Sequence, residues 1–295
     1  MKKCIFKGVA TALATPQNKN GIDYNELDRL IEWQLDQGIK ALVIAGTTGE
    51  ASTLTLKEHE DLLLHAIEKV KGRATMIAGT GSNDTNCAID MSKCASKMGY
   101  DAMLVVTPYY NKTTQTGLVK MYEAISNAID KPIILYNVPS RTGINIEPKT
   151  YLELSNYTNV YAIKEANGDI GKIAETMSLV RDKLYMYSGN DDQIVPILSM
   201  GGIGVISVLS NIMPKETIEI CDKFFAGDIE GSRKIQLDLM PLIKALFSEV
   251  NPIPVRAALS KMGFGENYLR LPLVPMSKEK ENILFDIMRK NSLIK

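Results

Sequence analysis

A lysine stands where lysines are scarce. Val160-Tyr161-Ala162-Ile163-Lys164-Glu165-Ala166 reads as a short buried strand, rich in β-branched and aromatic residues and stopped by Asn167-Gly168-Asp169. An unpaired ammonium in such a strand is costly. Two readings of Lys164 follow. Either it is solvated at the strand end or paired with Glu165, or it is an amine nucleophile that forms a Schiff base with a carbonyl substrate. A free lysine has a pKa of about 10.4, so roughly one in 2,500 is neutral at pH 7, a handicap of about 4.6 kcal/mol. Burial in an apolar strand layer lowers such a pKa and removes part of that handicap.

Other residues have a type and place that suit the same chemistry. Gly46-Thr47-Thr48-Gly49-Glu50 follows an apolar run. It is either a turn with a hydroxyl cap for the next helix, or a nest of N–H groups and hydroxyls for a carboxylate. Tyr136 ends Pro132-Ile133-Ile134-Leu135-Tyr136, the run preceding that of Lys164. It is an ordinary strand residue or, with neighbouring strands about 4.8 Å apart, a phenol beside the amine and placed to carry protons. Arg141 is a solvated loop residue or a fork for a substrate carboxylate. Ser188-Gly189-Asn190-Asp191-Asp192 offers metal carboxylates, but with no histidine nearby a structural loop is preferred. His59 and His65 are six apart, share no helix face and lack metal-ligand spacing, so no metal site is expected.

Positioning these groups requires a scaffold, and its period is visible. Apolar strand-like runs recur at Gly8 to Thr15, 41–45, 75–78, 102–106, 132–136, 160–166, 184–187 and 204–208. Helical patterns fill the gaps. Tyr24 to Gln37 carries Leu27, Leu30, Ile31 and Leu35 on one face, and Thr55 to Val70 opens with a capping-box spacing. Gly38, Gly72 and Gly99 stand where helices should end. Eight βα units with near-continuous apolar strands predict a (β/α)8 barrel, a TIM barrel, over 1–226. The runner-up is a doubly wound sheet, but no GxGxxG follows the first strand. From 227 to 295 the alternation stops. Asp228 to Lys244, Asn251 to Lys261 and Ser277 to Lys290 predict a C-terminal helical extension.

Composition excludes several classes. The chain has 295 residues, and its 34 Lys and Arg balance 34 Asp and Glu. No charge block suggests a nucleic-acid arm or a polybasic membrane patch. Four scattered cysteines without a CxxC pair read as reduced thiols of a cytoplasmic protein. Met1-Lys2-Lys3 and Ala12-Leu13-Ala14 loosely imitate a signal peptide, but Lys7 and Gly8 interrupt the apolar run, which reads better as a first strand. No stretch approaches the roughly 20 apolar residues of a membrane span.

These motifs, taken in order, resemble one family. GTTGE at 46–50, TPYYN at 107–111, YNVPSRTG at 136–143, IKEA at 163–166, GGIGVISV at 201–208 and NPIPV at 251–255 are similar to the dihydrodipicolinate synthases of lysine biosynthesis, which belong to the pyruvate-dependent class I aldolases. The resemblance implies condensation of pyruvate with L-aspartate 4-semialdehyde to 4-hydroxy-tetrahydrodipicolinate. It implies a Schiff base on Lys164 and a proton relay of Tyr136, Thr47 and Tyr110, the last supplied across a subunit interface. Thr47 and Thr48 would meet the pyruvate carboxylate and Arg141 that of the semialdehyde, with Gly189 and Ile206 lining the site. It implies no metal or organic cofactor and a homotetramer built from two tight dimers. The alternatives are another pyruvate-dependent aldolase such as N-acetylneuraminate lyase, which usually carries serine for Thr47 and lacks Arg141, or a binding protein that kept the fold. Lysine-sensitive members use a polar set at a dimer interface. This chain keeps His59, Asn83 and Tyr109 but has Ala51 for a serine, Leu56 for a histidine and Cys87 for a glutamate. Feedback inhibition by lysine is therefore expected to be weak or absent.

Overall fold

The computed structural model describes residues 2–295. Local chemistry starts and stops the helices. Asp23 caps α1 (Tyr24–Asp36) by accepting from the Glu26 N–H. Thr55 and Glu58 form the expected capping box at α2 (Leu56–Val70). Asp84 caps α3 (Thr85–Met98), and Gly99 ends it in the left-handed region at φ 96°. These contacts satisfy N–H groups that a helix start leaves without partners. Gly38 and Gly72 follow α1 and α2 with φ of 95° and 75°.

Between the helices run β1 (Gly8–Ala12), β2 (Ala41–Ile44), β3 (Thr75–Gly79), β4 (Ala102–Val106), β5 (Ile133–Asn137), β6 (Val160–Glu165), β7 (Tyr185–Ser188) and β8 (Gly204–Ser207). They form one closed parallel barrel, each strand beside its sequence neighbours and β8 closing on β1 from Gly8↔Gly204 to Thr11↔Ser207. This settles the choice against a doubly wound sheet. Helices α4 (Gln115–Ser126), α5 (Pro148–Leu154), α6 (Ile170–Val180), α7 (Ile194–Ser199) and α8 (Pro214–Phe225) complete the outer layer. With side chains buried on both faces, the strands read as continuous apolar runs rather than alternating ones. Leu42, Met103, Ile133 and Ile163 pack against the helices. Ala10, Val43, Ile77, Leu104, Ile134, Ala162, Tyr187 and Ile206 fill the barrel interior. Phe6 closes the N-terminal mouth by stacking on Tyr187, centroids 4.1 Å apart, while the Tyr187 hydroxyl donates to the Phe6 carbonyl. The opposite mouth, at the strand C-termini, is left for chemistry.

Two of the expected elements differ by more than two residues. The first strand ends at Ala12 rather than Thr15; Leu13 still donates to the Val43 carbonyl, but the chain then turns into a two-residue hairpin, Gln17–Asn18 against Gly21–Ile22. The helix expected over 228–244 is two, α9 (Ile229–Asp238) and α10 (Met240–Leu246). Pro241 has no N–H to donate backward and its ring clashes with the preceding turn, so the helix restarts there. The extension continues through α11 (Ile253–Lys261) and α12 (Lys278–Lys290). Among the described residues, no helix is long and apolar enough to cross a membrane.

Candidate active site

The site starts from the register of two strands. β5 and β6 pair Tyr136 with Lys164 and Asn137 with Glu165. Successive residues of a strand face opposite ways, so the two rungs point to different sides of the sheet. Tyr136 faces the barrel interior. Lys164 faces it too: it is 5% exposed, with Nζ 4.2 Å from the centroid of the Tyr136 ring. Glu165 points outward into the helical layer. Its carboxylate accepts from Asn137 Nδ2 at 2.8 Å, from the Tyr151 hydroxyl at 2.9 Å and from the Asn167 N–H at 3.0 Å. The bland reading of Lys164, solvated or paired with Glu165, therefore fails on both counts. Complete burial pushes the Glu165 carboxyl up to about 7, against the opposing pull of those three donors.

The loop after β2 supplies the next group. Gly49 and Glu50 donate back to the carbonyls of Gly46 and Thr47 at 3.1 Å each, closing two consecutive tight turns. Ala45 and Glu50 flank this loop at φ 54° and 58°, conformations that side chains rarely take and that fixed loops at functional sites do. Gly79 allows the loop its place: a Cβ there would lie 2.1 Å from the Ala45 carbonyl oxygen. The N–H groups of Thr47 and Thr48 have no partner among the described residues. Thr48 is buried, and its Oγ1 accepts from Asn251 Nδ2 at 3.0 Å. Arg141 sits on the single helical turn Pro139–Thr142 after β5. Its guanidinium makes one hydrogen bond among the described residues, from Nη2 to the Asn251 carbonyl at 2.9 Å.

These groups converge. A cavity of about 390 Å³ is lined by Gly46, Thr47, Tyr136, Val138 and Arg141, and also by Leu56, His59, Ser82, Cys87 and Tyr109. Lys164 does not itself line it but touches Tyr136, which does. Ile206 is fully buried in the same interior cluster as Tyr136. Gly189 donates to the Glu165 carbonyl at 2.7 Å, and a Cβ there would lie 2.8 Å from that of Ala166, so only glycine lets this loop cross the end of β6 so closely. Tyr110 stands apart. It is 93% exposed, with φ 72°, and does not line this cavity.

The loop after β7 is structural, as preferred. One Asp191 oxygen accepts from the N–H groups of Val208 and Leu209 at 3.0 and 2.9 Å, which ties this loop to the end of β8. Burial pushes its carboxyl up, and hydrogen bonds from Ser207, Leu209 and Val208 pull it back. His59 bonds the Gly79 carbonyl and His65 bonds Asp28. Among the described residues no group of three or more His, Cys, Asp or Glu is placed to hold a metal.

Reasoning from sequence missed two residues here. Asn251 belongs to a motif noted only for its resemblance, with no role attached. Glu165 was weighed only as a partner for Lys164; strand alternation alone would have turned it away.

Comparison with known proteins gives the chain its relatives. The Dihydrodipicolinate synthetase family model matches residues 5–291. A 4-hydroxy-tetrahydrodipicolinate synthase of Thermoanaerobacter sp. (strain X514) is 50% identical over 292 residues, covering 99% of this chain and 98% of that one. The crystal structure of dihydrodipicolinate synthase from Thermotoga maritima superposes with a TM-score of 0.96 at 45% identity, covering 99% of this chain and 100% of that one. A chloride-inhibited dihydrodipicolinate synthase from Acinetobacter baumannii, solved in complex with pyruvate, superposes at 0.95 with 39% identity over 98% and 99% of the two chains. With a family match across nearly its whole length and relatives at half identity, the chain belongs to the dihydrodipicolinate synthetase family.

Proposed function

We infer that this chain is a lyase condensing pyruvate with L-aspartate 4-semialdehyde to 4-hydroxy-tetrahydrodipicolinate, in the biosynthesis of diaminopimelate and lysine, with the roles that follow. The observation that carries the assignment is a buried lysine whose amine touches the ring of Tyr136, the residue paired with it across two adjacent strands.

Neutral Lys164 attacks the pyruvate carbonyl carbon, and the carbinolamine loses water to give a protonated imine. The free N–H groups of Thr47 and Thr48, with the Thr48 hydroxyl, take the carboxylate. Loss of a methyl proton gives the enamine, with the imine nitrogen receiving the electron pair. That nitrogen is the electron sink, so the scheme needs neither metal nor organic cofactor. The enamine carbon then attacks the aldehyde, while Arg141 holds the semialdehyde carboxylate through N–H groups that its one hydrogen bond among the described residues leaves free. The amine of the semialdehyde attacks the imine carbon, closes the ring and releases Lys164.

Protons move through Tyr136 and Thr47, joined by Tyr110 of a second copy. An almost fully exposed tyrosine in a strained backbone conformation suits a group presented to a neighbour. The assembly is a homo-oligomer, a tetramer made of two such dimers. Gly189 and Ile206 shape the floor of the site. The barrel, 1–226, carries the chemistry, and the extension, 227–295, braces the carboxylate ligands from outside. Four free cysteines fit a cytoplasmic setting. No nucleic acid or membrane takes part.

N-acetylneuraminate lyase chemistry is disfavoured by the presence of both Thr47 and Arg141. Borohydride reduction in the presence of pyruvate, followed by peptide mass spectrometry, should place one adduct on Lys164. An adduct elsewhere, or none, overturns the mechanism. Parallel assays with pyruvate plus aspartate semialdehyde and pyruvate plus N-acetylmannosamine should give turnover only with the first.

A further inference from the structure

Asn251 lies between α10 and α11, 203 residues from Thr48 and 110 from Arg141 in the chain. It touches both. Its side-chain Nδ2 donates to Thr48 Oγ1 at 3.0 Å in a buried contact, and its main-chain carbonyl accepts from Arg141 Nη2 at 2.9 Å. The side chain is itself 6% exposed, and its Oδ1 is buried without a partner. Of the two polar atoms of the amide, it is the donor that faces Thr48.

A threonine hydroxyl has one proton and two lone pairs. When an amide N–H occupies a lone pair, the proton is not consumed there and is free to donate elsewhere. We propose that Asn251 is a positioning residue that holds the Thr48 hydroxyl as a hydrogen-bond donor toward the pyruvate carboxylate. Its main-chain carbonyl steadies Arg141 separately, so the two functions do not share an atom. The C-terminal extension thereby takes part in selecting the first substrate without touching it. This inference rests on the reading of Thr48 as a carboxylate ligand.

The near-isosteric variant Asn251→Asp reverses the polarity of the contact. An ionised carboxylate only accepts, so it draws the Thr48 proton to itself and also sets a like charge near the incoming carboxylate. Steady-state kinetics at pH 8 should show the pyruvate KM raised at least tenfold, the scale of one charge-assisted hydrogen bond. The aspartate semialdehyde KM should stay within about twofold and kcat at saturating pyruvate within about threefold. Lowering the pH should bring the variant's pyruvate KM back toward that of the wild type, because a protonated carboxyl donates again. A role confined to stability would give no such recovery. Asn251→Ala, which frees the hydroxyl to rotate, should raise the pyruvate KM by about threefold only. In a Thr48→Val background, Asn251→Asp should matter less than it does alone.

A pyruvate KM for the aspartate variant within about twofold of wild type overturns the inference, as does a parallel rise in both KM values or full additivity with Thr48→Val. If the aspartate variant does not fold, the alanine variant decides: an unchanged pyruvate KM overturns the inference. Borohydride trapping separates the two layers. A wild type that pyruvate does not trap removes the reading of the site, and this inference with it. A trapped wild type with an unaltered aspartate variant removes the inference alone.

Discussion

Replacing Glu165 by glutamine should make the protein less stable in weak acid and more stable in weak base. The carboxyl is fully buried, with three hydrogen-bond donors around it, and burial outweighs them and lifts its pKa to about 7 from an ordinary value of about 4.5. Below about 4.5 the group is protonated both folded and unfolded. Between 4.5 and 7 the unfolded chain loses its proton while the folded one keeps it, so stability falls as pH rises. Above 7 both are ionised and the deficit is constant. The gap between the two values corresponds to on the order of 3 kcal/mol. Glutamine does not titrate, so it escapes this loss. It still accepts at Oε1 from Asn137 and Asn167, but its Nε2 only donates, so the Tyr151 hydroxyl must turn and accept instead, a cost of about 1 kcal/mol. The two stability curves should cross. Near pH 4.5 the variant should be about 1 kcal/mol weaker, and at pH 8 about 2 kcal/mol stronger. Urea midpoints at fixed protein concentration, taken at half-unit pH steps, measure this directly. Parallel curves, or a wild type that gains on the variant as pH rises, would show that the three donors outweigh burial and that the argument is wrong.

Further outcomes are expected. Arg141→Ala should weaken aspartate semialdehyde use by about 1.5–3 kcal/mol in transition-state binding while leaving pyruvate trapping on Lys164 nearly intact; equal loss of both would make Arg141 structural. Tyr110→Phe should slow turnover strongly, and mixing it with Lys164→Ala should restore activity in mixed dimers; no restoration, with subunit exchange confirmed independently, would mean that each chain carries its own relay. L-lysine should inhibit weakly or not at all. Leu56 and Cys87 stand in the cavity beside His59 and Tyr109, and a neutral thiol gives a ligand ammonium no charged partner, which costs several kcal/mol at tenfold per 1.4. Asp84 offers no ready substitute, since one of its oxygens caps α3 through the Asn86 N–H. Initial rates against L-lysine at saturating pyruvate test this, and inhibition as tight as in a lysine-sensitive enzyme run alongside would refute it. Leu56→His with Cys87→Glu should move the response toward sensitivity.

The chain's period and punctuation were enough to announce the barrel. Apolar runs such as Ala102–Val106 and Ile133–Asn137 have no alternation because both faces are covered, and Thr55, Glu58 and Gly99 mark helix ends by chemistry that acts within one turn. Lys164 was conspicuous for the same local reason: an ammonium does not belong in an apolar strand. Pro241 shows the limit of such reading, since a helical pattern passes through it while the backbone does not. The remaining decisions were long-range. Only the register of β5 against β6 set Tyr136 directly opposite Lys164, because a slip of one residue would have preserved both strands and turned their side chains to opposite faces. Only the packing of the extension on the barrel mouth brought Asn251 to Thr48 and Arg141, across 203 and 110 residues of chain. Periodicity and capping record what each residue needs from its near neighbours along the chain; a contact between distant segments is fixed by the shape of the folded core and leaves no period behind.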